Sequence, residues 1–207
     1  MSEFMSYDPW KNITTRNGIP GDEIISALQK SIRRGLVEDA AVAAYEMYIT
    51  SPEFEEKLWR RLQAISVEDI GFGNTNAPVL INALNQMRVN FPYNDGDRPI
   101  FFVHAIRYLC QCEKERSSDC LKNVIIKEFE QGRKPVIPDF ALDMHTERGR
   151  TMGRDMMHFL KEASKVYPEK DKIDNGYKQR LEKILKEENS KTEEPDVPPF
   201  SYNTWQA

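Results

Sequence analysis

The sequence predicts an all-α fold, a compact bundle of about seven or eight helices. Three observations carry that reading. Apolar residues recur at three- and four-residue spacing through most of the 207-residue chain. No stretch shows the strict apolar–polar alternation of a half-buried strand. Helix start and stop residues fall between the periodic segments. No solenoid-type repeat is present.

Residues 1–21 hold Pro9, Gly18, Pro20 and Gly21 with little periodicity and read as an irregular arm. Helical patterning begins at Asp22, a candidate N-cap for a helix over 23–34. Ile24, Ile25, Leu28 and Ile32 share one face, and Gly35 supplies the C-terminal stop. A second helix over 37–49 carries Ala40, Ala41, Ala43 and Ala44, which permit close helix approach. Ser51-Pro52 is a cap followed by proline at the first helical position, and it predicts a third helix with Phe54, Leu58, Leu62 and Ile65 buried. That helix ends before Gly71 and Gly73.

A fourth helix runs over 76–89 with Pro78 in its first turn, and Asn94 to Asp97 form a turn. The fifth, over 98–113, is apolar around much of its circumference and reads as central. The sixth, over 118–131, presents Leu121, Val124, Ile125 and Phe129. Gly132 to Pro138 breaks the pattern. A further helix runs from Thr146 or Thr151 to Val166. A last one, over 173–188, has Ile173, Tyr177, Leu181 and Ile184 in register. The all-α domain thus spans 22–188, and 189–207 is a Pro-rich acidic tail that reads as disordered or loosely docked. Phe200, Tyr202 and Trp205 within it are candidate groove anchors.

Composition excludes several classes. A net charge of −4, from 29 Lys and Arg against 33 Asp and Glu, excludes a broadly basic nucleic-acid coat but leaves room for a local basic patch. No apolar run reaches the ~18–20 residues of a membrane span. Met1 to Trp10 lack the regions of a secretory signal. Three closely spaced cysteines, Cys110, Cys112 and Cys120, fit a reducing cytoplasm better than a disulfide framework. Cys110 and Cys112 are about 200° apart around one helix, so they cannot share an ion. No phosphate loop and no dinucleotide fingerprint is present, so no ATPase activity and no cofactor are expected.

The densest polar segment is Asp139 to Asp155. Arg148, Arg150 and Arg154 lie among glycines before a helix start, where guanidinium groups and free N–H groups suit a phosphate. The competing reading pairs them with Asp139, Asp143, Glu147 and Asp155 to lock the helix entry. Asp139, Asp143, His145, Glu147, Asp155 and His158 are the candidates for a polar site. On a regular helix His145 points away from residues 143 and 147, so no metal is assigned. His145 has no adjacent nucleophile to activate. The pairs Arg33-Arg34 and Arg60-Arg61 are candidate phosphate contacts or ordinary solvated charges. Trp59 beside the second pair reads as core.

Several stretches resemble a known family. Ile25 to Gly35, Arg60 to Gly71, and His104 to Leu109 followed by Lys114 are similar, in order and separation, to segments of the RarA/MgsA/Werner-helicase-interacting-protein ATPases. The resemblance covers roughly residues 22–165 and only the helical region after the ATPase core. The segment from His145 to Arg154 departs from the ATPases' ending and looks like that of stand-alone bacterial and phage-type proteins. The resemblance implies a clamp-loader-collar-like fold, self-association (a tetramer in the family), and a setting in DNA replication, recombination or repair, with possible DNA contact. The expected function is a non-catalytic oligomerising and interaction module. Two rivals remain. One is an enzyme or ligand-binding protein for a phosphorylated small molecule, built on Asp143, His145, Glu147 and the arginines. The other is a decoy partner of a host RarA-like ATPase.

Overall fold

The computed structural model describes residues 9–169 and 176–188. Among these the regular structure is helical, and the only β-type pairing is an isolated bridge between Thr14 and Pro20. The chain divides into two compact units, residues 1–133 and 134–207.

The first unit contains α1 (Gly21–Arg33), α2 (Val37–Thr50), α3 (Pro52–Ile65), α4 (Ala77–Arg88), α5 (Arg98–Gln111) and α6 (Ser117–Glu130). Helix α1 begins earlier than the sequence predicts. Pro20 sits at the N-cap with no side-chain cap, and its carbonyl accepts from the N–H groups of Glu23 and Ile24, each at 3.1 Å. Asp22 is therefore a first-turn residue, where its charge favours the helix dipole, rather than the cap. Gly35 ends α1 at φ +73°, a conformation that suits glycine. Ser51 caps α3 as expected, its hydroxyl accepting from the Phe54 N–H at 3.3 Å, with Pro52 in the first turn. The described part of the N-terminal arm, residues 9–20, is docked on the bundle. Trp10 meets the edge of Phe54 at 4.9 Å, and Glu46 of α2 accepts from the backbone and side-chain N–H groups of Asn17.

The core lies where α1, α2, α3, α4 and α5 meet. Leu28, Ile32, Met47, Leu58, Leu62, Ile65, Ile81, Phe102, Ile106 and Leu109 are buried within it. Each such side chain contributes about 1.5–3 kcal/mol on burial. Ala40 and Ala44 bring α2 close to its neighbours. Trp59 is core, and α5 buries Phe102, Ala105, Ile106 and Leu109, although its Ile100 faces solvent. Charge is also buried here. Arg98 of α5 donates from Nε and Nη2 to the Glu55 carboxylate of α3 at 2.9 and 3.0 Å. Arg88 of α4 lies 3.2 Å from the same carboxylate. Three helices are thereby cross-linked by one acid.

Helix α3 does not simply stop. It continues through a π turn, Ser66–Ile70, and reverses at Gly71, where φ is +52°. A Cβ on Gly73 would lie 2.5 Å from the carbonyl oxygen of Glu113, so the chain after the turn packs backbone to backbone against the segment leading into α6.

The second unit is built from short pieces: a 3₁₀ turn at Asp139–Ala141, α7 (Glu147–Thr151), α8 (Met156–His158), a π turn at Phe159–Ala163, and α9 (Tyr177–Glu188). The single helix expected up to Val166 is broken. Thr146 caps α7 by accepting from the Gly149 N–H at 3.0 Å. Gly153 turns the chain at φ +71°, and Asp155 caps α8 by accepting from the His158 N–H at 2.9 Å. Two caps around one left-handed glycine outweigh the apolar periodicity. Ile173 and the tail with Phe200, Tyr202 and Trp205 lie outside the described residues.

Candidate functional site

In the second unit the polar segment is folded on itself. Asp143 is buried, and its carboxylate accepts from the His145 backbone N–H at 2.9 Å and approaches His145 Nδ1 at 3.0 Å. These contacts, the side-chain one first, hold the Asp143 carboxyl below its ordinary range. The His145 ring also meets the edge of Phe159 at 5.2 Å. Arg154 donates to the carbonyls of Asp139 and Leu142, each at 2.6 Å, and pairs with the Asp139 carboxylate. Arg150 donates to the Met144 carbonyl at 3.3 Å. Asp155 is spent on its helix cap, and His158 contributes its backbone N–H to that cap.

Glu147 and Arg148 instead line an open depression of about 530 Å³ with Thr151 and Met152. The acids, histidines and arginines of this segment therefore do not gather around one cleft. Asp143, Arg154 and Asp155 hold the entries to α7 and α8, but of the arginine–carboxylate pairs in the competing reading only Arg154–Asp139 forms among the described residues. Gly149 fits against the backbone of Asp143, and a Cβ there would overlap it. Gly149→Ala should destabilise the second unit by about 1–3 kcal/mol. Faster amide hydrogen exchange over residues 142–160, with the first unit unchanged, is the measurement.

The first unit holds a denser ionic cluster that sequence reasoning missed. Asp69, in the π turn, is 0% exposed. Its carboxylate accepts from Arg33 Nε at 2.6 Å and Gln29 Nε2 at 3.0 Å, and the Arg116 guanidinium lies 3.1 Å away as an ion pair. Glu68 beside it receives Gln29 Nε2 at 2.8 Å, with Arg33 and Arg61 at 3.5 and 3.3 Å. Arg61 also donates to the Gln29 side-chain oxygen. Arg116 reaches onward to Asp119 at 2.6 Å, and Lys122 reaches Asp119 at 2.8 Å. The cluster thus joins α1, α3, the π turn and the first turn of α6. Arg33, a candidate phosphate contact in the sequence, is consumed here. Arg34 is exposed and donates to the Lys30 carbonyl of its own helix at 3.1 Å. A signal for the cluster is present in the sequence. Asp69 continues the Leu58, Leu62, Ile65 stripe at helical spacing, and a carboxylate on an apolar stripe needs a buried partner.

The sequence predicts that helix α6 presents Leu121, Val124, Ile125 and Phe129. None of its residues is buried, and those four together with Ile126 face solvent. Its contacts with the π turn lie at its base, where the Glu115 N–H donates to the Asp69 carbonyl at 3.0 Å. Beside that base is an open groove of about 210 Å³, lined by Ser66, Val67, Gly71, Phe72, Thr75, Pro78 and Ser118. Phe72 at its rim is 74% exposed.

Acid should loosen this base. The Asp119 carboxyl is held below its ordinary range, chiefly by the Lys122 hydrogen bond, and that of Glu115 chiefly by Ser117. Groups lowered in the folded state stabilise it above their unfolded values and lose that stabilisation as pH falls through the folded ones. Exchange protection in the first turn of α6 should therefore fall below about pH 4. Asp119→Asn should remove its share of that pH dependence.

Among the described residues no group of three or more His, Cys, Asp or Glu side chains is placed to hold a metal ion. Cys110 is buried, Cys112 half-buried and Cys120 exposed. No helix among the described residues is long and apolar enough to cross a membrane. No family model and no curated protein matches the chain.

Proposed function

We infer that this chain is a non-catalytic oligomerising and interaction module that works beside DNA replication, recombination or repair machinery in the cytoplasm. The observation that carries this reading is α6. A helix with five large apolar side chains in solvent, fastened to the bundle at its base, is built for a contact outside its own fold. The resemblance to the post-ATPase region of the RarA/MgsA group supplies the setting. Its first two segments supply Gln29, Arg33, Arg61, Glu68 and Asp69, which meet in the ionic cluster under α6.

In this reading DNA phosphates fall to Arg34 in the first unit and, independently, to Arg148 in the second, both with side chains facing solvent. Arg154, engaged with two carbonyls and Asp139, positions its loop instead. The experiment is size-exclusion chromatography with light scattering across micromolar concentrations. Concentration-dependent assembly is expected, and a strict monomer overturns the reading. Forked and single-stranded DNA binding by an Arg34→Ala, Arg148→Ala variant tests the phosphate contact. Binding equal to the parent's removes it.

A further inference from the structure

We propose that Arg33, Arg61 and Arg116 form a binding site for a phosphate monoester, and that the Glu68 carboxylate is a built-in placeholder which the phosphate displaces. The site lies wholly within the first unit and does not depend on whether the chain assembles.

The two acids of the ionic cluster are held differently. Asp69 is fully buried, accepts from Arg33 Nε at 2.6 Å and stands 3.1 Å from Arg116. Glu68 meets three arginines and holds none of them closely. Arg61 Nη2 lies at 3.3 Å, Arg33 Nη2 at 3.5 Å and Arg116 Nη2 at 3.6 Å. Charge-assisted pairs of this kind close to about 2.7–2.9 Å where geometry allows. The short hydrogen bond of Glu68 is to a neutral group, Gln29 Nε2 at 2.8 Å.

The mismatch has a geometric cause. Arg33 comes from α1, Arg61 from α3 and Arg116 from the entry to α6. A carboxylate has two oxygens in one plane and cannot bond well to three guanidinium groups that arrive from three elements. A phosphate monoester offers three acceptor oxygens and about −1.5 to −2 charge at neutral pH. Spare donors are present to meet it. Among the described residues neither Arg61 Nε nor Arg116 Nε has a hydrogen-bond partner. Arg33 spends its Nε on Asp69 and turns Nη2 to the site. The site is reachable, since the side chains of Arg33, Arg61, Arg116 and Glu68 are 24–36% exposed.

Charge favours the exchange. The ion-paired network sets Arg33, Arg61, Arg116 and Lys122 against Glu68, Asp69 and Asp119. With Glu68 swung out, four cations face two acids, and a phosphate dianion restores the balance. Asp69 keeps its hold on Arg33 and Arg116 throughout, so the donors stay preorganised. A backbone phosphodiester carries one charge and is flanked by sugar on both sides, so the terminal monoester is the better match for the place that Glu68 fills.

The probe is inorganic phosphate, titrated against the full-length chain at constant ionic strength in chloride. The Nε–H resonances of Arg61 and Arg116 should shift and saturate. Glu68→Gln removes the competing charge and should tighten phosphate binding about tenfold. Arg61→Gln should weaken it about tenfold. Should Arg61→Gln fail to fold, Glu68→Gln decides, because it nearly preserves shape and a purely structural cluster predicts no gain in binding. Equal affinity in the parent and Glu68→Gln, or Nε–H resonances that move in neither, overturns the site. A single-stranded oligonucleotide with a 5′-phosphate that binds more tightly than its 5′-hydroxyl counterpart assigns the site to a nucleic-acid end. Phosphate binding without that preference assigns it to a phosphorylated small molecule. A chain that is strictly monomeric and still binds phosphate in this way overturns the assembly reading and leaves the site standing.

Discussion

Glu55→Ala should cost the first unit about 3–5 kcal/mol, the largest single loss expected in the molecule. The carboxylate is almost wholly buried and is shared by Arg98 and Arg88. Truncation leaves Arg98 in the interior without its carboxylate, while Arg88 keeps Glu56 and the Asn85 side chain. Arg98 keeps its bonds to the carbonyls of Arg88 and Phe91, so backbone dipoles soften the loss but do not neutralise the charge. Replacing all three residues by apolar ones of similar volume should recover most of the stability, because burying the ions is itself costly. Urea denaturation of the single and triple variants makes the comparison. A single variant within about 1 kcal/mol of the parent would show that the acid does not cross-link the three helices.

Asp69→Ala should cost about 2–4 kcal/mol, less than Glu55→Ala because Arg33 and Arg116 reach solvent at 27% and 36% and are partly screened. Its second effect is more informative. Arg116 loses its buried counter-ion, so the base of α6 should exchange amide protons faster while α2 and α5 remain protected. Asp69→Asn preserves the shape and the Gln29 contact but not the charge, and it should fall between the parent and Asp69→Ala. If α6 exchange does not change in either variant, the cluster is not what fastens that helix.

Most of the first unit is legible in the sequence because its signals are local. Ser51-Pro52 sets the start of α3, Gly35 the end of α1, and the Phe54, Leu58, Leu62, Ile65 stripe points inward as periodicity requires. Periodicity says that a helix has an apolar face but not which molecule covers it. For that reason the sequence marks Leu121, Val124, Ile125 and Phe129 on α6 but not that they stand in solvent in the fold. The helix expected up to Val166 fails differently, since two side-chain caps and a left-handed Gly153 divide it. The ionic residues of 139–155 stand out as a group in the sequence, but composition does not say what they bond. The structure adds that Arg154 and Asp143 are engaged with backbone groups of their own loop. The cluster at Asp69 escapes sequence reasoning because Gln29, Arg33, Arg61 and Arg116 come from distant parts of the chain, and only a carboxylate on an apolar stripe marks where they meet.

The attachment of α6 at its base has a mechanical consequence. The helix is rooted at the Arg116–Asp69 contact and at the Glu115 N–H on the Asp69 carbonyl. A pull on its far end is delivered as torque to that root, and from there to Gln29 and Arg33 of α1 and Arg61 of α3. Under load the lever should tear free first, leaving the five-helix body intact. Stretching a single molecule would then give a small early yield before the main rupture.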